Sequence, residues 1–135
     1  MTDLLYKDEV YAIVGAAMDV YNDLGPGFLE NVYQEAMEIE TMARKIPSKS
    51  LQEIHIKYKG KLLKKFYIAD LVCYDKIIVE LKAVEALEKV HFAIVRSYLK
   101  AAGLSDGLIL NFSSMPLTVK RVRRERGFES TDLQL

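Results

Sequence analysis

At 135 residues, 50% of them hydrophobic and 28% charged, the chain has the composition of one globular domain rather than of a disordered or fibrous protein. Its 19 basic and 19 acidic residues cancel, so a polyanionic partner would have to meet a local basic face and not a net charge. A single cysteine, Cys73, excludes an internal disulfide and a cysteine-built zinc site, and its apolar surroundings mark it as a small buried hydrophobe. The opening MTDLLYKDEVY lacks a signal-peptide core, and no apolar run approaches the ~20 residues of a membrane span. A cytoplasmic protein without membrane contact is the expectation.

In chain order, Val10, Ile13, Val14, Ala17, Met18, Tyr21 and Leu24 recur at helical spacing and predict a first helix over 8–24. Gly25-Pro26-Gly27 breaks it. Phe28, Val32, Ala36, Ile39 and Ala43 predict a second helix, which ends before Pro47. The period then changes to two. LQEIHIKY predicts a half-exposed strand, YKGK around Gly60 a hairpin turn, 63–74 a second strand, Asp75-Lys76 a turn, and IIVELKAV a third strand. From about Glu88 to Ala102 the pattern is helical and apolar nearly all round, which predicts a buried crossover helix stopped by Gly103. GLILNF and LTVKRVRR predict two further strands. The order α-α-β-β-β-α-β-β implies an α/β fold with a mixed central sheet flanked by helices. Residues 1–126 form one domain in this reading, and 127–135 a tail without period.

The segment DLVCYDKIIVELK, from Asp70 to Lys82, carries the chemistry. On the third strand Ile78, Glu80, Lys82 and Val84 share one face of an element otherwise built for the interior, where charges are costly unless paired or bound to an ion. Asp70 joins them if the hairpin loop has three residues, at 74–76 or 75–77, and faces away if it has two. If the three converge, two carboxylates close together repel, which raises a pKa unless a divalent cation shares them. Oxygen ligands without sulfur favour Mg²⁺ or Mn²⁺, and a lysine beside them suits an attacking water or a phosphorane charge. A buried Asp–Lys–Glu ion-pair cluster without metal is the alternative.

A D-x9-E-x-K hairpin between an N-terminal helix and a crossover helix resembles the core of the PD-(D/E)XK nuclease superfamily. More narrowly, GFLENVY at 27–33 matches the motif that names the GxxExxY proteins, and the similarity continues from about Val10 to Arg121. The resemblance implies a restriction-endonuclease-like αβββαβ core. It implies Asp70 and Glu80 as Mg²⁺ (or Mn²⁺) ligands, Lys82 as the catalytic lysine, and Glu30 as a further ligand or metal-orienting group. Tyr33, one turn beyond Glu30, is either a core aromatic or a hydroxyl aimed at the site. In the crossover helix His91 and Tyr98 are supporting candidates, His91 equally as a satisfied core histidine. Relatives place a glutamine four residues before that tyrosine. Ile94 stands there instead, which removes a hydrogen-bonding arm and puts full activity in question.

Lys57, Lys59, Lys61, Lys64 and Lys65 cluster in the first hairpin, and Lys120, Arg121, Arg123, Arg124 and Arg126 near the end of the chain. Within them Lys57, Lys59, Lys120, Arg121 and Arg123 are candidate phosphate contacts; solvated charged faces are the plainer reading. The leading expectation is a Mg²⁺-dependent nuclease acting on DNA or RNA. The alternatives are a catalytically weakened or inactive module that binds nucleic acid or protein, and an accessory subunit whose apolar surface assembles with itself or another protein.

Overall fold

A computed structural model describes residues 5–124 and the strand residues 132–134. Helices α1 (Lys7–Leu24) and α2 (Glu30–Ala43) precede strands β1 (Ser48–Tyr58), β2 (Lys61–Cys73) and β3 (Ile77–Lys82). Helix α3 (Lys89–Ala102) leads to β4 (Asp106–Asn111), β5 (Thr118–Arg123) and β6 (Asp132–Gln134). The six strands form one sheet in chain order, β1 to β6. Only β3 and β4, which α3 links, run parallel. The restriction-endonuclease-like expectation is met, with one strand more than the sequence pattern suggests. Within the expected tail, 132–134 pair with β5, while 127–131 and 135 lie outside the described residues.

Two apolar layers sandwich the sheet. Val10, Ile13, Ala17, Tyr33 and Met37 of α1 and α2 pack on Leu71, Cys73, Val79, Leu81, Leu108 and Leu110. On the opposite face Val95 and Leu99 of α3 pack on Ala69, Val72, Ile78, Ile109 and Val122. Here the crossover helix differs from its sequence reading. Only Val95 and Leu99 are fully buried on it, and Val90 is exposed, because a single sheet face covers a single stripe. Gly107 sets how closely α3 can approach: a Cβ there would stand 2.8 Å from Val95 Cγ1 and 3.3 Å from the Ile78 carbonyl.

The connections follow from local chemistry. Gly25 and Gly27 adopt φ of 69° and 116°, which lets the chain turn sharply between α1 and α2. The Tyr33 hydroxyl then pins that loop, donating to the Gly25 carbonyl at 2.6 Å and accepting from the Phe28 amide at 3.2 Å. Lys59 and Gly60 both have positive φ between the paired Tyr58 and Lys61, the signature of a two-residue hairpin turn. Strand β3 stops at Lys82 rather than running to Val84. Beyond it the buried Asn111 holds Val84 from both sides, accepting from its amide at 3.1 Å and donating to its carbonyl at 2.9 Å.

Candidate active site

The β2–β3 pairing joins Cys73 to Ile77, Val72 to Ile78 and Leu71 to Val79. The loop is therefore the three-residue one, Tyr74 to Lys76, and one step further on Asp70 comes opposite Glu80. At that step the backbone ladder ends. The Asp70 amide donates to Glu80 Oε2 at 2.7 Å, and the Leu81 amide to Asp70 Oδ2 at 2.8 Å. The Asp70 carbonyl is held by Gln34 Nε2 of α2 at 2.9 Å. Side chains have replaced the ladder bonds, and two carboxylates occupy the opening between the strands.

Strand β2 changes phase at the same place. Tyr67 and Ala69 belong to the α3 layer, whereas Leu71 and Cys73 lie beneath α1 and α2. Strict alternation would put all four on one face, so the strand re-aims its side chains at Asp70. Opposite, Leu51 of β1 takes a positive φ of 50°. The apolar residues on both sides of Asp70 hide this shift in the sequence, because IADLVC has no clean period.

Burial decides the electrostatics. Glu80 is 5% exposed, and its carboxyl is pushed up to about 8, first by burial and then by the charge of Asp70. The Asp70 amide and Lys82 oppose that shift more weakly. Asp70 is also raised, mainly by burial, with Glu30 adding to the rise and the Leu81 amide and Lys82 working against it. Each carboxylate spends one oxygen on a backbone amide. Among the described residues neither Asp70 Oδ1 nor Glu80 Oε1 accepts a hydrogen bond. The pair thus has two oxygens left over and a surplus of negative charge that a cation or a proton would relieve.

The other sequence candidates fall into place unevenly. Glu30 opens α2, is exposed, and accepts from the Ala83 amide at 3.3 Å. It lines a cleft of 280 Å³ together with Asn31, Gln34, Leu51, Asp70 and Leu81. It does not close with Asp70 and Glu80 into a three-carboxylate cluster, and among the described residues no such group of three or more ligands exists. Tyr33 is fully buried, stacks on Phe112 with ring centroids 4.6 Å apart, and spends its hydroxyl on the glycine loop, so it is the core aromatic. His91 caps α3: its Nδ1 accepts the Glu88 amide at 2.9 Å, half of a reciprocal capping box. Tyr98 stacks on Tyr67 at 4.9 Å, and its phenol is raised by burial and then by Glu80 and Asp70. It therefore stands within electrostatic reach of the pair, on the α3 side.

The second basic cluster is corrected by the structure. Arg121 is 2% exposed and bonded to Asp106 Oδ1 at 2.9 Å and to the Leu5 carbonyl; Arg123 is also buried, 3.2 Å from the same carboxylate oxygen. Both are internal ion-pair groups, which shields them from a phosphate on the surface. Lys120 is half-buried beside them, and Arg126 lies outside the described residues. Lys57 and Lys59, by contrast, are not buried and lie at the hairpin tip. Two residues were missed by pattern. Gln34 fixes the Asp70 backbone and Asn111 fixes the chain after Lys82. Asn111 is a lone amide in the apolar GLILNF, and that isolation was the signal, whereas Gln34 sits among the other polar residues of α2 and carried none.

A mixed sheet whose β2–β3 hairpin opens at Asp70 and Glu80, with Lys82 two residues further along β3 and helices on both faces, defines a PD-(D/E)XK-type α/β domain. A family model for the PD-(D/E)XK nuclease superfamily matches residues 7–124, nearly all of the chain. The chain belongs to that superfamily. No curated protein and no solved structure matches it. No helix among the described residues is long and apolar enough to cross a membrane.

Proposed function

We propose that the chain is a divalent-metal-dependent phosphodiesterase acting on nucleic acid, of the GxxExxY branch and cytoplasmic. The observation that carries this reading is the opened ladder, where Asp70, half-buried, and Glu80, buried, face each other, each with an oxygen to spare. Nothing about folding alone calls for two like charges there. The donor set fits a small hard cation: Mg²⁺ is commonly held by one or two carboxylates and completes its shell with water and substrate phosphate. A cation bound there supplies Lewis acidity toward a phosphoryl oxygen and a more acidic water.

The chain's own residues do the rest. Asp70 and Glu80 hold the cation, and Gln34 and the Leu81 amide keep the Asp70 carboxylate aimed. Lys82, next but one along β3, neutralises charge that builds on the phosphoryl oxygens. Glu30, from the cleft wall, orients water from outside the first ligand pair. The Tyr33–Gly25 bond fixes the loop that sets where Glu30 begins its helix. The motif of Gly27, Glu30 and Tyr33 supports the narrower branch: a glycine for the turn, a carboxylate for the cleft, and a tyrosine that locks both.

A second reading, a binding module of the same fold with little or no turnover, is favoured by Ile94. It stands one helical turn before Tyr98 and brings no polar group to the α3 side of the site. Calorimetric titration of Mg²⁺ and Mn²⁺ into the wild type and Asp70→Ala, followed by a nuclease screen with mixed DNA and RNA, separates the two. Metal binding that vanishes in the variant, with cleavage by the wild type alone, is expected. Binding without cleavage would leave the module reading, and no binding in the presence of substrate phosphate would end the phosphodiesterase one.

A further inference from the structure

Beyond the carboxylates, β1 and β2 continue as a two-stranded arm. Strand β3 pairs with Leu71–Cys73 alone, whereas β1 and β2 remain paired from Ser48–Cys73 out to Tyr58–Lys61. One face of the arm is covered, since Ile54, Tyr67 and Ala69 pack with α3. The other holds apolar groups in water: Leu51 is 57%, Ile68 45% and Phe66 42% exposed. The pairs Glu53–Ile68 and His55–Phe66 put these side chains on a common face, where the His55 and Phe66 ring centroids are 5.4 Å apart. That face does not end blindly, because Leu51 lines the same cleft as Glu30 and Asp70.

Charge indicates what covers it. Toward its tip, from Ile54 to Ala69, the arm contains Lys57, Lys59, Lys61, Lys64 and Lys65 and not one aspartate or glutamate, in a chain whose net charge is zero; Glu53, just before that stretch on the exposed face, is bound to His55 Nε2 at 3.2 Å. An apolar strip that docked protein would be poor in lysine. Flat rings interleaved with unopposed lysines instead match a strand of bases and phosphates. Duplex bases already stack on one another and offer only their edges, so the rings favour unpaired bases. We infer that the β1–β2 arm is a binding platform for single-stranded nucleic acid. Phe66 and His55 stack on bases, Lys57, Lys59, Lys64 and Lys65 hold the backbone, and the strand is led along Ile68 and Leu51 to Asp70. The last step alone rests on the proposed phosphodiesterase; binding to the arm does not.

Fluorescence anisotropy with the wild-type chain in EDTA, where cleavage is absent, tests it. The probes are labelled oligothymidylate and oligouridylate of about 15 nucleotides and a duplex of the same length, a size that spans several stacked bases. One or both single strands should bind, with the duplex about tenfold weaker or worse, and Phe66→Ala should lose about tenfold while Phe66→Trp keeps affinity. Reversing Lys64 and Lys65 to glutamate should weaken binding and flatten its salt dependence. Phe66 is partly in water, so circular dichroism should show Phe66→Ala folded like the wild type. Equal affinity for the duplex, no oligonucleotide binding, or Phe66→Ala binding like the wild type would overturn the assignment. Binding that survives without any cleavage in Mg²⁺ would leave the arm and remove the phosphodiesterase. Cleavage with an unchanged KM in Phe66→Ala would do the reverse.

Discussion

Replacing Glu80 with glutamine keeps the side chain's shape and removes the charge that burial opposes most. The folded carboxyl stands near 8 against an ordinary 4.5. At about 1.4 kcal/mol per pH unit the difference sets a ceiling of roughly 5 kcal/mol, and relaxation of the site brings the expected effect to the order of 2–4 kcal/mol. The sign follows from linkage. A carboxyl whose pKa is raised on folding binds its proton more tightly in the native state. Its contribution is therefore intact below about pH 4.5 and is lost as pH rises toward about 8. The glutamine of Glu80→Gln has no proton to lose, and its amide oxygen can still accept the Asp70 amide that Oε2 accepts at 2.7 Å. Urea unfolding in EDTA at about pH 5 and about pH 8.5 should show the stability advantage of Glu80→Gln widening by that amount. Added Mg²⁺ should then stabilise the wild type at the higher pH and leave the variant unmoved. Parallel pH profiles for the two proteins would refute the account, because they would mean that Glu80 ionises without penalty.

The remaining predictions concern separate parts of the molecule. Lys82→Met should lower cleavage by about a hundredfold or more while calorimetry still finds the cation, since the lysine stabilises developing charge and is no ligand. Asp106→Asn leaves Arg121 and Arg123 buried beside a neutral amide and should cost about 3–5 kcal/mol in denaturant unfolding, with little change in metal affinity. Gly107→Ala forces a Cβ against Val95 Cγ1 and the Ile78 carbonyl, and should lower stability by about 1–3 kcal/mol. Tyr33→Phe removes the two hydrogen bonds to the glycine loop, which should cost on the order of 1 kcal/mol with kcat within about twofold of the wild type; a large kcat loss would give that hydroxyl a second task.

Much of this fold is legible in the sequence because its elements are locally consistent. Helical spacing in α1 and α2, the period-two run of β1, Gly60 in the turn and Gly103 after α3 each name their element, and each element is found within a few residues of its expected limits. The site was legible in kind but not in form. Glu80 and Lys82 were fixed by alternation along β3, and Asp70 by the three-residue loop, one of two choices that brought it to their face. The break in the ladder was not legible, because it depends on Gln34, 36 residues away in the chain, holding the Asp70 carbonyl. The two arginines of β5 misled for a related reason. Alternating TVKRVR reads as an outward basic face, and only the fold reveals Asp106 across the strand pair to neutralise it. Strand β6 is short and polar, and carries no period from which pairing could be read.

The strand order of the sheet has a bearing on when the site acquires its character. Because spatial order equals chain order, a ribosome that has released the first 82 residues has already delivered α1, α2, the whole β1–β2–β3 meander and every acidic group of the centre. At that stage Ala69, Val72 and Ile78 still lack the cover of α3, and the free edge of β3 beside Glu80 lacks its parallel neighbour Ile109. Glu80 would then have the charge of Asp70 beside it but not the cover of α3 and β4. The larger part of its appetite for a proton or a cation, the part owed to burial, grows when those two elements close over it.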